Sequence, residues 1–181
     1  MPGVWIVAET REQAYELLGA ARALARDMGA AVTAVVAGGS ATPGECIARG
    51  ADEVLVLAGL APGEPFGAHL PVIEQEARGG SPELILLSAT ARGKETAARL
   101  AARLGCGLCS GCTALAFDRE ARSLRMERLA YGGAAIQKLA APSTPVIVTV
   151  PPRSVEPAAP LEGRQGRTRE LPAPPPSAVK I

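Results

Sequence analysis

A chain of 181 residues has room for one α/β domain of about 150 residues and a tail. Its 48% hydrophobic and 20% charged residues are ordinary for a globular protein, and a net charge of +1 with dispersed arginines excludes a basic stripe for nucleic acid or an anionic membrane. No run approaches the roughly 20 apolar residues of a membrane span, and Met1 to Trp5 lacks the charged start of a secretory signal, so a cytoplasmic location is expected.

The run VWIVA at 4–8 is short, apolar and ended by Glu9 and Thr10, as a buried parallel strand requires. From Glu12 the period turns helical. Leu17, Leu18, Ala21, Leu24, Ala25 and Met28 recur at three- and four-residue steps, and Gly29 supplies the stop. A second strand at 31–37 runs into Gly38-Gly39. A short helix around 45–49, a stop at Gly50 and a third strand at 53–57 follow. A Gly/Pro-rich loop at 58–65 leads to a third helix at 69–78, broken by Gly79-Gly80-Ser81-Pro82. A fourth strand at 84–87 precedes a fourth helix with an apolar stripe of Ala97, Leu100, Ala101 and Leu104, stopped by Gly105. Strands alternating with helices predict a parallel sheet with right-handed crossovers.

After Gly105 strands dominate. Segments 113–117 and 124–130 flank a turn at 118–122, and 134–139 and 145–150 read as further short strands. Eight of the sixteen prolines fall in the last 31 residues, beside Arg164, Arg167 and Arg169. The expected division is therefore a domain at 1–152 and a Pro-rich linker or tail at 153–181 with no core of its own. No internal repeat is present.

Three segments could carry chemistry. The loop from Ser88 through Thr90, Arg92, Gly93 and Lys94 to Glu95 joins the fourth strand to the fourth helix, where α/β sheets bind ligands and a helix N-terminus offers N–H groups to an anion. It departs from a P-loop at Ser88, where the first glycine belongs, and at Glu95, where a magnesium-binding hydroxyl belongs. The competing account is a capped helix start, with Thr90 as the cap and Glu95 in the first turn favoured by the helix dipole.

Cys106, Cys109 and Cys112 share the spacing of the first three ligands of a ferredoxin cluster, but no fourth cysteine and proline follow. Small half-buried thiols are the favoured reading over a metal site or a redox pair of Cys109 and Cys112, and no metal is expected. Tyr131-Gly132-Gly133 joins two strands, either as a turn that needs positive φ or as a close approach to a partner. The single histidine, His69, is expected as a solvent-facing residue at a helix start. No GxSxG, HExxH or GxGxxG occurs, so no catalytic machinery is visible.

Together these segments resemble the α subunit of electron transfer flavoproteins. Val4 to Glu9 looks like that family's opening strand and glutamate. Glu16-Leu17-Leu18, with Ala25 and Gly29-Ala30, resembles its first helix and the turn after it. Gly50-Ala51-Asp52-Glu53-Val54 resembles the entry to its third strand. The continuous match is Leu86-Leu87-Ser88-Ala89-Thr90, Gly93-Lys94-Glu95, Ala98-Arg99-Leu100-Ala101 and Leu104-Gly105. Cys112 falls where many members carry a cysteine, Tyr131-Gly132-Gly133 at an aromatic-Gly-Gly position, and Thr149-Val150-Pro151-Pro152 near the family's Thr-Val-Arg-Pro end. The loop after Glu9 is shorter than usual, Pro151 replaces an arginine, and Gln137-Lys138 is atypical.

The resemblance implies a Rossmann-like, mainly parallel sheet flanked by helices, similar to adenine nucleotide α-hydrolases, with additional short strands in the C-terminal third. It implies a scaffold that pairs with a β subunit, not an enzyme. FAD is expected in the complete complex, in a second α-subunit domain whose binding positions this chain does not contain. AMP or a second FAD is expected in the β subunit, with no cofactor in this chain. Val179 to Ile181 looks like the start of a strand leading into that second domain, which suggests a longer parent chain. Without its partner, the domain is expected to be able to self-associate. The alternative is a free-standing adenine-nucleotide-binding or sensor domain that uses the Ser88–Lys94 loop.

Overall fold

β1 (Gly3–Ala8) and β4 (Leu84–Ser88) are buried at every position, which is why both are apolar runs with no polar face, Ser88 at the end of β4 excepted. They lie side by side at the middle of a parallel sheet in a computed structural model that describes residues 3–38, 41–59, 66–141 and 144–174. β2 (Ala31–Ala37) and β3 (Glu53–Leu57) extend the sheet on the β1 side. β9 (Val146–Val150) and β5 (Gly107–Cys109) extend it on the β4 side. β10 (Arg167–Leu171) adds to β3, giving the order β10-β3-β2-β1-β4-β9-β5 with every neighbour parallel.

α1 (Arg11–Met28) begins where the Thr10 side chain accepts from the Gln13 N–H at 3.3 Å. It ends at Gly29, whose left-handed backbone returns its N–H to the Ala25 carbonyl. Its buried positions, among them Ala14, Leu18, Ala21 and Ala25, lie against Val4, Ile6, Ala8 and Val36 on one sheet face. The short α2 (Pro43–Ala48) is held by a reciprocal capping box between Thr42 and Glu45 and adds Cys46 to that layer. α3 (Leu70–Gly80) and α4 (Ala91–Leu104) cover the other face, where Ile73, Ala97 and Leu100 pack on Trp5, Val7, Ile85 and Leu87.

A second, antiparallel sheet of β6 (Cys112–Asp118), β7 (Ser123–Ala130) and β8 (Ala135–Ala140) lies on the α1 side. Leu124 and Met126 anchor it in the α1-side core. An ion pair of Arg119 with Asp27 at 2.7 Å ties its tip to α1. The turn between β6 and β7 is organised by Asp118, which accepts from the N–H groups of Glu120 and Ala121 and pairs with Arg125.

Two expectations are corrected here. The segment after Pro152 is no free arm, because its described part packs along the domain. Ala158 donates its N–H to the Tyr15 carbonyl at 2.9 Å, and the Glu156 carbonyl lies directly against Gly19. The segment then adds β10 to the sheet, burying Leu171 and clamping Arg169 onto Glu76 at 3.0 and 2.5 Å. Burial of one leucine stabilises by about 1.5–3 kcal/mol, enough to fix a strand whose other side chains face solvent. His69 is likewise not at the surface. It is fully buried at the end of a 3-10 turn (Phe66–His69), with Nε2 3.0 Å from the Ala58 carbonyl. Gly39, most of the loop at 58–65 and the strand-like end at 179–181 lie outside the described residues.

Candidate functional site

The direction of strand addition reverses between β1 and β4, so the crevice at their carboxyl ends is where an open α/β sheet ordinarily receives a ligand. The chain brings Glu9 to the end of β1 and the segment from Ser88 to Lys94 to the end of β4. Ser88, Thr90, Arg92, Gly93 and Lys94 thus share one turn, but in different roles. Thr90 is the N-cap of α4, its hydroxyl accepting from the Gly93 N–H at 3.0 Å and its carbonyl from the Lys94 N–H at 2.9 Å. Ala89 donates to the Val150 carbonyl at 2.7 Å, tying the turn to β9. Ser88 and Gly93 are buried, while Arg92 and Lys94 face outward. Glu95 falls beyond the first turn of α4, contrary to expectation, and pairs with Arg99 at 2.7 Å.

Gly93 also shows what the turn is built for. A Cβ there would overlap the Ser88 carbonyl, so this glycine lets the helix approach the strand end. Glu9 lies on the other side of the crevice, at the end of β1. Its Oε1 is buried without a hydrogen-bond partner among the described residues. Burial pushes its carboxyl above the ordinary range, against the pull of the Arg92 guanidinium. The crevice therefore sets a half-buried carboxyl group and the buried Ser88 hydroxyl beside a close-packed turn.

The other candidate, Tyr131-Gly132-Gly133, is a 3-10 turn at the end of the β7–β8 hairpin. Gly132 and Gly133 have φ of 67° and 97°, and Tyr131 itself has φ 51°, a left-handed backbone unusual for an aromatic residue. The Tyr131 side chain is 88% exposed. Beside it, Leu129 and Ile136 are directly paired across β7 and β8 and are 56% and 61% exposed. Sequence reasoning missed these two residues, although a parity signal existed. Leu124 and Met126 face the core, so Leu129 stands on the opposite face, with Arg125 and Glu127. The aliphatic pair, one residue on the middle strand and one on the edge strand β8, is continuous with the exposed tyrosine of the turn and forms an apolar surface patch.

The cysteines divide between the two sides of the main sheet. Cys109 and Cys112 are buried in the α1-side core, whereas Cys106 packs against the α3–α4 side. Among the described residues, no three or more His, Cys, Asp or Glu side chains are placed to share a metal ion. No helix among them is long and apolar enough to cross a membrane.

Comparison with known proteins adds a direct finding. Residues 4–176 match the family model described as "Electron transfer flavoprotein domain". The chain is 34% identical over 139 residues to a Clostridium acetobutylicum protein named electron transfer flavoprotein subunit alpha, covering 72% of this chain and 41% of that one. It is 34% identical over 173 residues to a protein of the same name from Thermoanaerobacterium thermosaccharolyticum, covering 91% of this chain and 52% of the relative. A Clostridium saccharobutylicum protein named FixB is 34% identical, with coverage of 83% and 47%. The chain thus spans about half the length of the curated relatives it matches.

Proposed function

The chain belongs to the electron transfer flavoprotein family, on the side of its α subunits, and from that premise we propose that it is a scaffold domain that docks a β subunit in a flavin-dependent electron-transfer complex. The observation that carries the docking role is the exposed strip of Leu129 on the middle strand, Tyr131 in the connecting turn and Ile136 on the edge strand β8 of the small sheet. On this reading the protein is an electron-carrier component in the cytoplasm and catalyses no reaction by itself. The flavin of the working complex belongs to another domain, and AMP or a second flavin to the β subunit. The docking unit includes the segment from 153 that packs on α1 and completes the main sheet with β10.

The test is co-expression with β subunits encoded in the same genome, followed by size-exclusion chromatography and a visible absorption spectrum. A stable heterodimer that Leu129→Glu abolishes is the expected result. No complex, combined with saturable calorimetric binding of AMP or ATP that Lys94→Ala removes, would instead establish a free-standing adenine-nucleotide domain.

A further inference from the structure

We propose that Cys109 and Cys112 form a redox-active dithiol that a peroxide oxidises to an intrachain disulfide. Cys109 is the last residue of β5 and Cys112 the first of β6, and only Ser110 and Gly111 lie between them. Gly111 takes φ 70°, and its N–H donates to the Thr149 hydroxyl at 2.8 Å, so the connecting turn is fixed rather than slack. The two side chains are buried in the same core cluster, three residues apart across one fixed turn. Both are free thiols, 1% and 2% exposed. Cys106, on the other side of the sheet, is outside the pair.

Access to the pair is one-sided. A cavity of about 250 Å³ between α1, β6 and the segment at 150–155 has Cys112 in its wall, with Leu24, Ala114 and Val155. It gives a small oxidant a route to Cys112. The resting Cys112 thiol donates to the Ala114 carbonyl at 3.0 Å, which holds its sulfur in place. Cys112, the thiol that lines the cavity, is the sulfur that attacks, and its neighbour Cys109 holds it below the ordinary thiol range.

The chemistry closes without a protein cofactor. The Cys112 thiolate attacks one peroxide oxygen and the O–O bond breaks. Sulfenic acid forms at Cys112 while hydroxide leaves and is protonated to water. The Cys109 sulfur then attacks the Cys112 sulfur. The S–S bond forms, the S–O bond breaks, and a second water departs with the Cys109 proton. Two thiols lose two electrons and two protons, and one peroxide becomes two waters. The product staples the last strand of the parallel sheet to the first strand of the hairpin sheet.

The test treats the purified full chain with stoichiometric hydrogen peroxide, alkylates the remaining thiols and measures mass. The expected product loses two of its four titratable thiols and the mass of two hydrogens, with the alkyl label on Cys46 and Cys106 only. A dithiol reductant restores both thiols. Cys109→Ser leaves a sulfenic acid at Cys112 that dimedone captures, and Cys112→Ser forms no linkage. Retention of all four thiols would overturn the proposal, as would oxidation confined to Cys106 or crosslinking only between chains. The wild-type label pattern decides the matter even if a serine variant fails to fold.

Discussion

Gly93 lies so close to the carbonyl oxygen of Ser88 that any side chain at position 93 would overlap it. Inside a helix, alanine is ordinarily favoured over glycine by about 1 kcal/mol. Here the contact is with backbone, which cannot swing aside, so the sign reverses. Gly93→Ala is expected to destabilise by about 1–3 kcal/mol, as overpacking does. Urea unfolding reads this as a lower midpoint with an unchanged slope. A midpoint at or above wild type would mean that the turn has room for a ligand after all.

Thr90 makes the matching prediction for the cap. Thr90→Ala removes the acceptor of the Gly93 N–H and should lower stability by about 1 kcal/mol, with Thr90→Ser restoring most of it. Equal loss in the serine variant would move the role from the hydroxyl to the methyl.

Glu9 predicts a dependence on pH. Its carboxyl is raised in the folded protein above the ordinary value of 4.5, so the folded state holds the proton more tightly than the unfolded one. Stability from this group is fully present below the unfolded value and is lost as pH rises through the folded one. Glu9→Gln removes the loss and should be more stable than wild type at neutral pH. The gain should shrink toward acid. Parallel thermal melts between pH 4 and pH 8 check both the sign and the trend. A destabilised variant at neutral pH would show that Arg92 outweighs burial.

Tyr131 separates a folding role from a binding one. Its left-handed backbone costs about 1 kcal/mol for a residue with a Cβ, so Tyr131→Gly should leave the isolated domain as stable or more so. If the hairpin docks a partner, the same change removes a central aromatic and should weaken the complex by about 2 kcal/mol, roughly thirtyfold. Calorimetry of the pair and melting of the single chain give the two readings. Unchanged affinity would take the interface away from this turn.

β10 predicts that a chain ended at residue 152 will behave worse than the full one. It would lose the Leu171 anchor and the Arg169–Glu76 clamp and leave the β3 edge unpaired. The expected outcome is a lower melting temperature and concentration-dependent aggregation by light scattering. A monomeric fragment of equal stability would make the tail dispensable.

What the sequence made legible follows local chemistry. Gly29 and Gly105 were readable as helix stops because each sits one step past an apolar stripe, and both take the left-handed cap. The alternation of strands and helices through Leu104 was readable for the same reason. The insertion of β9 between β4 and β5 was not, since its neighbours are set by packing across a long antiparallel excursion. β10 was hidden by composition. An edge strand with four exposed positions and one buried leucine looks, amid prolines and arginines, like linker. His69 reads as a polar helix-start residue, and its burial depends on a contact eleven residues away with Ala58. At the site, the Thr90 cap was legible from residue type. The approach of Gly93 to Ser88 was not, because it is a distance between a helix and a strand.

The pairing of β10 with β3 is parallel, and this sets where the polypeptide emerges. Leu171 finishes level with Leu57, its carbonyl receives the Ala58 N–H at 3.4 Å, and Ala173 rests against Gly59. Whatever is attached beyond that residue is handed over on the same rim of the sheet that carries Glu9 and Thr90, not on the opposite rim where Ala30 and Asp52 lie. A tether grafted there would begin its reach over the mouth between β1 and β4. Cargo intended to leave that mouth open must therefore be joined through a linker long enough to turn away.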